Sequence, residues 1–543
     1  MPQSVMPKAF YLTTPLYYVN ASPHIGHSYT EIAADCLARY RRLKGETVFL
    51  LTGTDEHGQK IEQAAAASGQ PPQAFVDGVV ERFKELWKLL NISYDDFIRT
   101  TEPRHVQVVQ ACLLRLQADT TLHHATYQGW YCTPCETFWT KDELAPAGGA
   151  PTTTGNPEER GTCPSCQRPL ETVEEEGWYR PLRAHQPWLH GFLKAHPAFI
   201  QPQSRYNEMA SLLEHPLPEY LCITRPRQRV GWGIPVPFSE EHVTYVWFDA
   251  LLNYVSAVGY GVDERRFAGH WPADVHLIGK DILRHHAVYW PIVLHALGLS
   301  DKQMPRLIFA HGWWKVGEQK MSKSLGNIVD PFVVVRELLK AQPYAADVYR
   351  YFLLRDVPFG QDGAFSEEAL LGRLEADLAN DLGNLVNRTL SMIERYCSGK
   401  IPSTTQVGRS AQYDDPLQQA THDLAKQVDT AMSRIEFSNA LDAIMRVVSQ
   451  ANQYIELTAP WKLTKGQGDG GRQRLHTVLY ILAHVIRVVA ITLEPFMPSV
   501  SASIRQQLSM GDSPHRLADA TSWTGDPLAG KTLGKREVLF PKT

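Results

Sequence analysis

The sequence predicts an α/β protein built on a parallel sheet, interrupted by an insertion and followed by an α-helical bundle. Three observations predict it. Strand-like and helix-like stretches alternate before residue 120 and resume near residue 240, the pattern of a parallel sheet with ligand loops at the carboxyl ends of its strands. The stretch between them holds two close cysteine pairs and a Gly/Pro/Thr-rich run, APAGGAPTTTGNPEERG, which reads as surface loop. From about residue 366 onward the apolar spacing is helical throughout, as in a packed bundle.

Each element follows from local chemistry. AFYLTTPLYYV is β-branched and aromatic and predicts a strand, NASPHIGH carries turn chemistry, and SYTEIAADCLARYRRLKG has helical spacing ending at a glycine. TVFLLTG followed by TDEHGQKIEQAAAA repeats strand and helix; DVHLIGKD predicts strand into helix, and RLIFAHGWW a further strand. SEEALLGRLEADLANDLGNLVNRTLSMIERY opens on a Ser-Glu-Glu start signal, and two longer helical patterns follow it. The expected organisation is a Rossmann-like domain in two halves, 1–119 and 237–318, around an insertion at 120–236. A connecting stretch at 319–365 then leads to a helical domain at 366–543.

Composition sets limits. The chain has 543 residues, more than one ordinary domain, with 43% hydrophobic and 21% charged content. A net charge of -4 excludes a globally basic nucleic-acid coat, so any polyanion must meet local patches. No uninterrupted apolar run approaches the roughly 18 residues of a membrane span, so no membrane partner is expected. The opening MPQSVMPKAFYLTTP lacks a charged segment followed by an apolar one, so a cytoplasmic location is expected. Of eight cysteines, Cys132/Cys135 and Cys163/Cys166 form tight pairs, while Cys36, Cys112, Cys222 and Cys397 are scattered. That arrangement favours a metal over a disulfide framework.

Two short motifs carry the chemistry. PHIGH places His24 and His27 around Ile25-Gly26 where strand gives way to helix. Residues three apart share a helix face, and a helix start offers free N–H groups and a positive dipole end to phosphate. Gly26 leaves room for a flat ring to approach. Alone, the motif is equally a pair of surface histidines. Much later, QKMSKSLGNIVDP sets Lys320 and Lys323 beside Ser322 and Ser324 and closes with Gly326; two neighbouring ammonium groups repel unless something negative meets them. No G-x-x-x-x-G-K-[ST] loop is present, so a nucleotide must be held differently.

HIGH combined with KMSKS resembles the class I aminoacyl-tRNA synthetases, and within them the methionyl-tRNA synthetases, from about Lys8 to about Met497. The resemblance implies that the lysine-rich loop closes over ATP, with Lys323 stabilising the pyrophosphate leaving group, Lys320 assisting, and Ser322 and Ser324 as polar contacts. His24 and His27 join these lysines as the catalytic residues. Gly26, Gly279 and Asp281 complete the ATP site, with Asp281 placed for the ribose, as an acidic residue after a strand often is. Mg2+ accompanies ATP.

The same resemblance implies a methionine pocket of Leu16, Tyr18, Asp55, Trp247, Ala250, Tyr254, Ile282, His286 and Trp290. Asp55 pairs there with the α-ammonium. Leu16, Ala250, Ile282 and the two tryptophans enclose the side chain, and Tyr18 and His286 lie near the thioether, a weak acceptor. Asp249 is either part of this site or structural. Leucine, isoleucine and valine ligases usually carry a larger insertion than 120–236 allows. A cysteine ligase needs a metal in the amino-acid pocket, and GTDEHG does not fit its corresponding strand end. The remaining rivals are a ligase for another apolar amino acid and an inactive tRNA-binding paralogue.

WYCTPCETFW and GTCPSCQRPL supply two C-x2-C units. Cys132, Cys135, Cys163 and Cys166 can close a tetrahedral, structural Zn2+ site; a redox pair or free thiols are the alternatives. In the helical domain, Asn384 and Arg388 lie four apart on one face, and Trp461 follows Ala459-Pro460, where a helix has ended and a ring can stand exposed. The resemblance assigns these three to the anticodon of tRNA(Met), initiator and elongator, since single-stranded RNA is read by stacking and by bonds to splayed bases. The tail after Met497 suffices only to finish the bundle, so a monomer is expected.

Overall fold

The computed structural model describes residues 8–139, 144, 161–164, 166–316, 319–320 (backbone only), 328–403, 408–463, 468–511, 515–521 and 527–542. They fall into two compact units: Met1–Pro23, Phe49–Glu85 and Tyr94–His311; and His24–Val48, Leu86–Ser93 and Gly312–Thr543.

The first unit is organised by a parallel sheet. Its strands run in the order Tyr17–Tyr18, Val48–Asp55, Phe10–Thr13, Val275–Gly279, Ile308–His311 and Ile200–Gln201, with Asp96–Arg99 also pairing Val48–Asp55. The inner strands read as continuous apolar runs because both faces are covered; Tyr11, Leu51, Ile278 and Ile308 are all buried in one core. Helix Pro103–Ala118 contributes Val108, Val109, Leu113 and Leu116 to that core.

Two details differ from expectation. The first predicted strand is two short ones, broken at Thr14-Pro15, where the proline has no N–H to donate and Thr14 bonds Leu51 O at 3.0 Å. The stretch 120–236 also sends one strand, Ile200–Gln201, into the parallel sheet beside Ile308–His311. The rest of the described stretch holds helices Gln186–Ala195 and Gln203–Leu212 and two antiparallel sheets: Thr137–Trp139, His123–Cys132, Glu171–Pro181 and Tyr220–Cys222 in one, and Thr224–Pro226 and Pro235–Val236 in another, the latter two joined by Ser239–Thr244 from just beyond it.

The second unit is helical. It includes Ile25–Leu43, Ala345–Arg355, Asn384–Cys397, Ala411–Ser433, Phe437–Thr458, Gly468–Leu493 and Pro498–Gln507. Gly468–Leu493 is long and apolar enough to cross a membrane, but 94% of its apolar window is buried in the protein. It is a core helix, apolar all round because neighbours surround it. The helix Ile25–Leu43, expected with the sheet domain, is tied to this unit through Asp35. Its carboxylate meets Arg350 at 2.7 Å and accepts from Ser93 N at 2.7 Å.

Candidate active site and metal centre

In the first unit, Asp55 ends the strand Val48–Asp55 and stands opposite Tyr18 in the neighbouring parallel strand. Its neighbour Glu56 is also buried, yet fully engaged: Arg99 reaches both oxygens at 2.7 and 2.9 Å, and Thr54 and Thr101 each donate at 2.6 Å. Asp55 is different. It is buried, and its Oδ1 has no hydrogen-bond partner among the described residues. Burial, then the charges of Asp249 and Glu136, hold its carboxyl well above the usual carboxylate range. An acid in that state is a receptor for a cation.

Asp249 is held between two histidines. Its fully buried carboxylate bridges His57 Nδ1 and His105 Nε2, each at 2.7 Å, and His105 Nδ1 goes on to Ser256 Oγ at 2.8 Å.

The aromatic residues of the expected methionine pocket form a linked set. His286 donates from Nδ1 to the carbonyl of Ile282 at 2.9 Å, so its Nε2 accepts the hydroxyl of Tyr254 at 2.8 Å. Burial pushes His286 down to about 4, keeping the ring neutral. Trp290, fully buried, donates to His276 Nε2 at 3.2 Å, and His276 Nδ1 lies 2.7 Å from Thr13 Oγ1. The Tyr18 hydroxyl is 2.7 Å from Glu136 Oε1 and 2.9 Å from the carbonyl of His57. Both nitrogens of His286 and the hydroxyl of Tyr18 thus have protein partners, which leaves ring surface for any further contact. Leu16, Trp247 and Ile282 are partly exposed, and Ala250 is buried.

Sequence reasoning did not single out His285. It is buried, stacks on Trp247 with ring centroids 3.6 Å apart, and neither of its nitrogens has a hydrogen-bond partner among the described residues. The doubled histidine in LRHHAVY was the available signal. Gly279 ends its strand, and Asp281 lies exposed in the turn that follows.

The four knuckle cysteines converge as their spacing predicts. Their sulfurs all lie within 4.8 Å of one another, with Cys132 and Cys166 at 3.5 Å and Cys135 and Cys163 at 4.0 Å. Tetrahedral Zn–S bonds of about 2.3 Å require sulfurs roughly 3.8 Å apart, so the donor set fits. The residue after each pair, Glu136 at φ 48° and Gln167 at φ 60°, turns left-handed and folds the chain back at each knuckle. No disulfide links any of the four.

In the second unit, His24 caps the helix Ile25–Leu43. Gly26 N–H donates to His24 Nδ1 and His24 N–H donates to His27 Nδ1, each at 3.1 Å, and the rings stack at 3.8 Å. With both Nδ1 atoms accepting, each ring carries its proton on Nε2 and donates from there. The start of this helix is joined to the exit of the lysine-rich loop: Ile25 N–H donates to the carbonyl of Val329 at 3.1 Å. Gln319–Lys320 pairs antiparallel with Trp314–Val316, Lys320 opposite Lys315. The Lys320 side chain, and Ser322, Lys323, Ser324 and Gly326 entirely, lie outside the described residues.

Asn384, Arg388 and Trp461 also belong to this unit. Trp461 sits in a short turn after helix Phe437–Thr458 has ended at Ala459, which is left-handed at φ 40°. The ring is half-buried, and the Arg388 guanidinium lies 5.6 Å from its centroid. Arg388 in turn pairs with Glu456 at 2.7 Å, and Asn384 bonds Asn452 at 3.4 Å.

Comparison with known proteins agrees with this arrangement. Residues 10–390 match the family described as tRNA synthetases class I (M), and residues 416–533 match the anticodon-binding domain of tRNA ligase. The chain belongs to the class I methionine–tRNA ligases. It is 45% identical to the methionine–tRNA ligase of Caldanaerobacter subterraneus subsp. tengcongensis, across 99% of this chain and 79% of that one. The Thermotoga maritima ligase is 43% identical, across 98% and 80%. Among solved structures, Mycobacterium tuberculosis methionyl-tRNA synthetase in complex with methionyl-adenylate aligns with a TM-score of 0.90 and 37% identity, over 98% of this chain and all of that one. The free form of that enzyme gives 0.83 and 34%.

Proposed function

We propose that the chain activates methionine with ATP and transfers it to the 3′-terminal adenosine of tRNA(Met). The methionine carboxylate attacks the α-phosphorus of ATP, the bond to the β-phosphate oxygen breaks, and pyrophosphate leaves. The 2′-hydroxyl of the terminal adenosine then attacks the carbonyl of methionyl-adenylate and AMP departs. No protein nucleophile takes part. Asp55 accepts the α-ammonium; Leu16, Tyr18, Trp247, Ala250, Tyr254, Ile282, His286 and Trp290 shape the pocket; Gly279 and Asp281 take the adenosine.

His24 and His27 donate from Nε2 to phosphate oxygens whose charge grows in the transition state, and Lys320 and Lys323 neutralise the pyrophosphate. Mg2+ would accompany ATP and offset the charge of its phosphates. Cys132, Cys135, Cys163 and Cys166 would hold one Zn2+ in a structural role, all four ligands being supplied by the protein. Asn384, Arg388 and Trp461 read the anticodon. The working segments follow the sequence: 1–119 and 237–318 for adenylation, 120–236 for the metal-bearing insertion, 319–365 for the loop and its connection, 366–543 for the anticodon.

The observation that carries this reading is the Ile25–Val329 bond, which ties the histidine helix to the exit of the lysine loop across about three hundred residues of sequence. The test is ATP–pyrophosphate exchange across the amino acids, followed by charging of tRNA(Met). Exchange should require methionine. Exchange with another amino acid only, or with none, refutes the proposal.

A further inference from the structure

We infer that Glu136 is a positioning residue for the methionine site, coupling the cysteine knuckle to Tyr18. The inference rests on the placement of Tyr18 in that site. Glu136 directly follows Cys135, is left-handed at φ 48°, and is buried. Its Oε1 accepts from the Tyr18 hydroxyl at 2.7 Å and from the backbone N–H of Lys60 at 2.9 Å, while its carbonyl accepts from the Tyr245 hydroxyl. The preceding carbonyl, of Cys135, receives Trp247 Nε1 at 3.4 Å. One turn of the knuckle therefore touches two rings of the expected methionine pocket.

The surroundings are shaped for this link. Gly58, at φ 103°, stands where any side chain would begin 2.6 Å from Glu136 Oε2 and 2.7 Å from the Tyr18 hydroxyl. Only a bare α-carbon lets those two groups meet. A buried carboxylate is costly unless it is hydrogen-bonded, and a metal knuckle alone has no need of one beside its second cysteine. Closing the knuckle on its metal fixes the backbone at Cys135 and Glu136. That in turn fixes the acceptor that orients Tyr18, and the carbonyl that holds Trp247.

Such a connection is reciprocal: if metal strengthens methionine binding, methionine strengthens metal retention by the same factor. Calorimetric titration of the full chain with methionine, zinc-loaded and zinc-depleted, should show the Kd rising about tenfold on depletion, a mid-range coupling. Saturating methionine should slow zinc loss to a chelator. Glu136→Asn keeps a residue suited to the left-handed backbone but is one methylene too short for Tyr18. It should retain zinc, bind methionine more weakly, and lose the protection of zinc by methionine. Glu136→Gln keeps the acceptor oxygen and should restore both. Tyr18→Phe leaves the knuckle untouched, and combining it with Glu136→Asn should add little to either alone.

Wild-type methionine affinity in Glu136→Asn, full additivity of the pair, or zinc loss indifferent to methionine each overturns the coupling while leaving the methionine site standing. A wild-type chain that binds no methionine, loaded or depleted, overturns the site and this inference with it.

Discussion

Tyr18 and Asp55 stand opposite each other at the carboxyl ends of two parallel strands, and only one of them is satisfied: the tyrosine hydroxyl has Glu136, while Asp55 Oδ1 has no partner among the described residues. Burial, then Asp249 and Glu136, raise the Asp55 carboxyl, so the ligand-free protein holds a proton there to unusually high pH. An arriving ammonium favours the carboxylate and drives that proton off. Methionine binding should therefore release a proton and tighten as pH rises toward the raised value. Calorimetry in two buffers of different ionisation enthalpy measures this, and zero net proton exchange defeats it. A raised carboxyl stabilises the fold fully below its ordinary value and loses that contribution as pH rises through the raised one. Asp55→Asn should therefore raise the Tm of the free protein at neutral pH while abolishing methionine binding.

Gly26 tests the histidine pair. A methyl group there would begin 2.9 Å from His24 Cε1, and the imidazole, not the backbone, is what can move. Gly26→Ala should leave the fold and the methionine KM intact while lowering kcat for pyrophosphate exchange on the order of 100-fold, the scale of losing one transition-state donor. Unchanged kcat would separate His24 from the chemistry.

The cysteine spacing, the histidine motif and the helical texture after residue 366 were legible because each is local: knuckle turns, helix starts and apolar periodicity involve neighbours in sequence. The grouping of the helix Ile25–Leu43 was not, because its anchor is a buried pair between Asp35 and Arg350, 315 positions apart. The role of Glu136 was hidden for the same reason. Within CETFW it reads as a surface acid, and only the approach of Tyr18, permitted by Gly58, shows why it is buried. The strand Ile200–Gln201 is two residues long, too short to show periodicity.

The Arg388 guanidinium lies over the Trp461 ring, and Glu456 holds Arg388 there. Base stacking on an aromatic ring contributes about 1–3 kcal/mol, so Trp461→Ala should lower kcat/KM for tRNA charging about 5- to 150-fold. Methionine-dependent pyrophosphate exchange should not change. Equal loss of both rates would locate the damage in folding. Arg388→Ala removes the cation over the ring and should weaken charging without affecting exchange.

Arg350 is the stability hub of the helical unit. Fully buried, it pairs with Asp35 at 2.7 Å and donates to the carbonyls of Phe496, Pro495 and Leu90 at 2.9, 2.9 and 3.2 Å. Burial alone would raise Asp35, but Arg350 and Arg39 outweigh it and hold the carboxyl below its ordinary value. That contribution is complete above the ordinary carboxylate range and is lost as pH falls through the depressed value. Arg350→Met leaves Asp35 with Arg39 alone in a buried position, and removing one member of a buried pair costs about 3–5 kcal/mol. Without Arg350 the Asp35 carboxyl titrates higher, so acid neutralises it and relieves part of the penalty. The stability gap between wild type and Arg350→Met, measured by urea unfolding, should be widest near pH 7 and narrow toward pH 4. Asp35→Leu combined with Arg350→Met should recover part of the loss, since a paired apolar replacement leaves no orphaned charge. A gap of equal size at both pH values would assign the effect to the three carbonyl bonds and not to the ion pair.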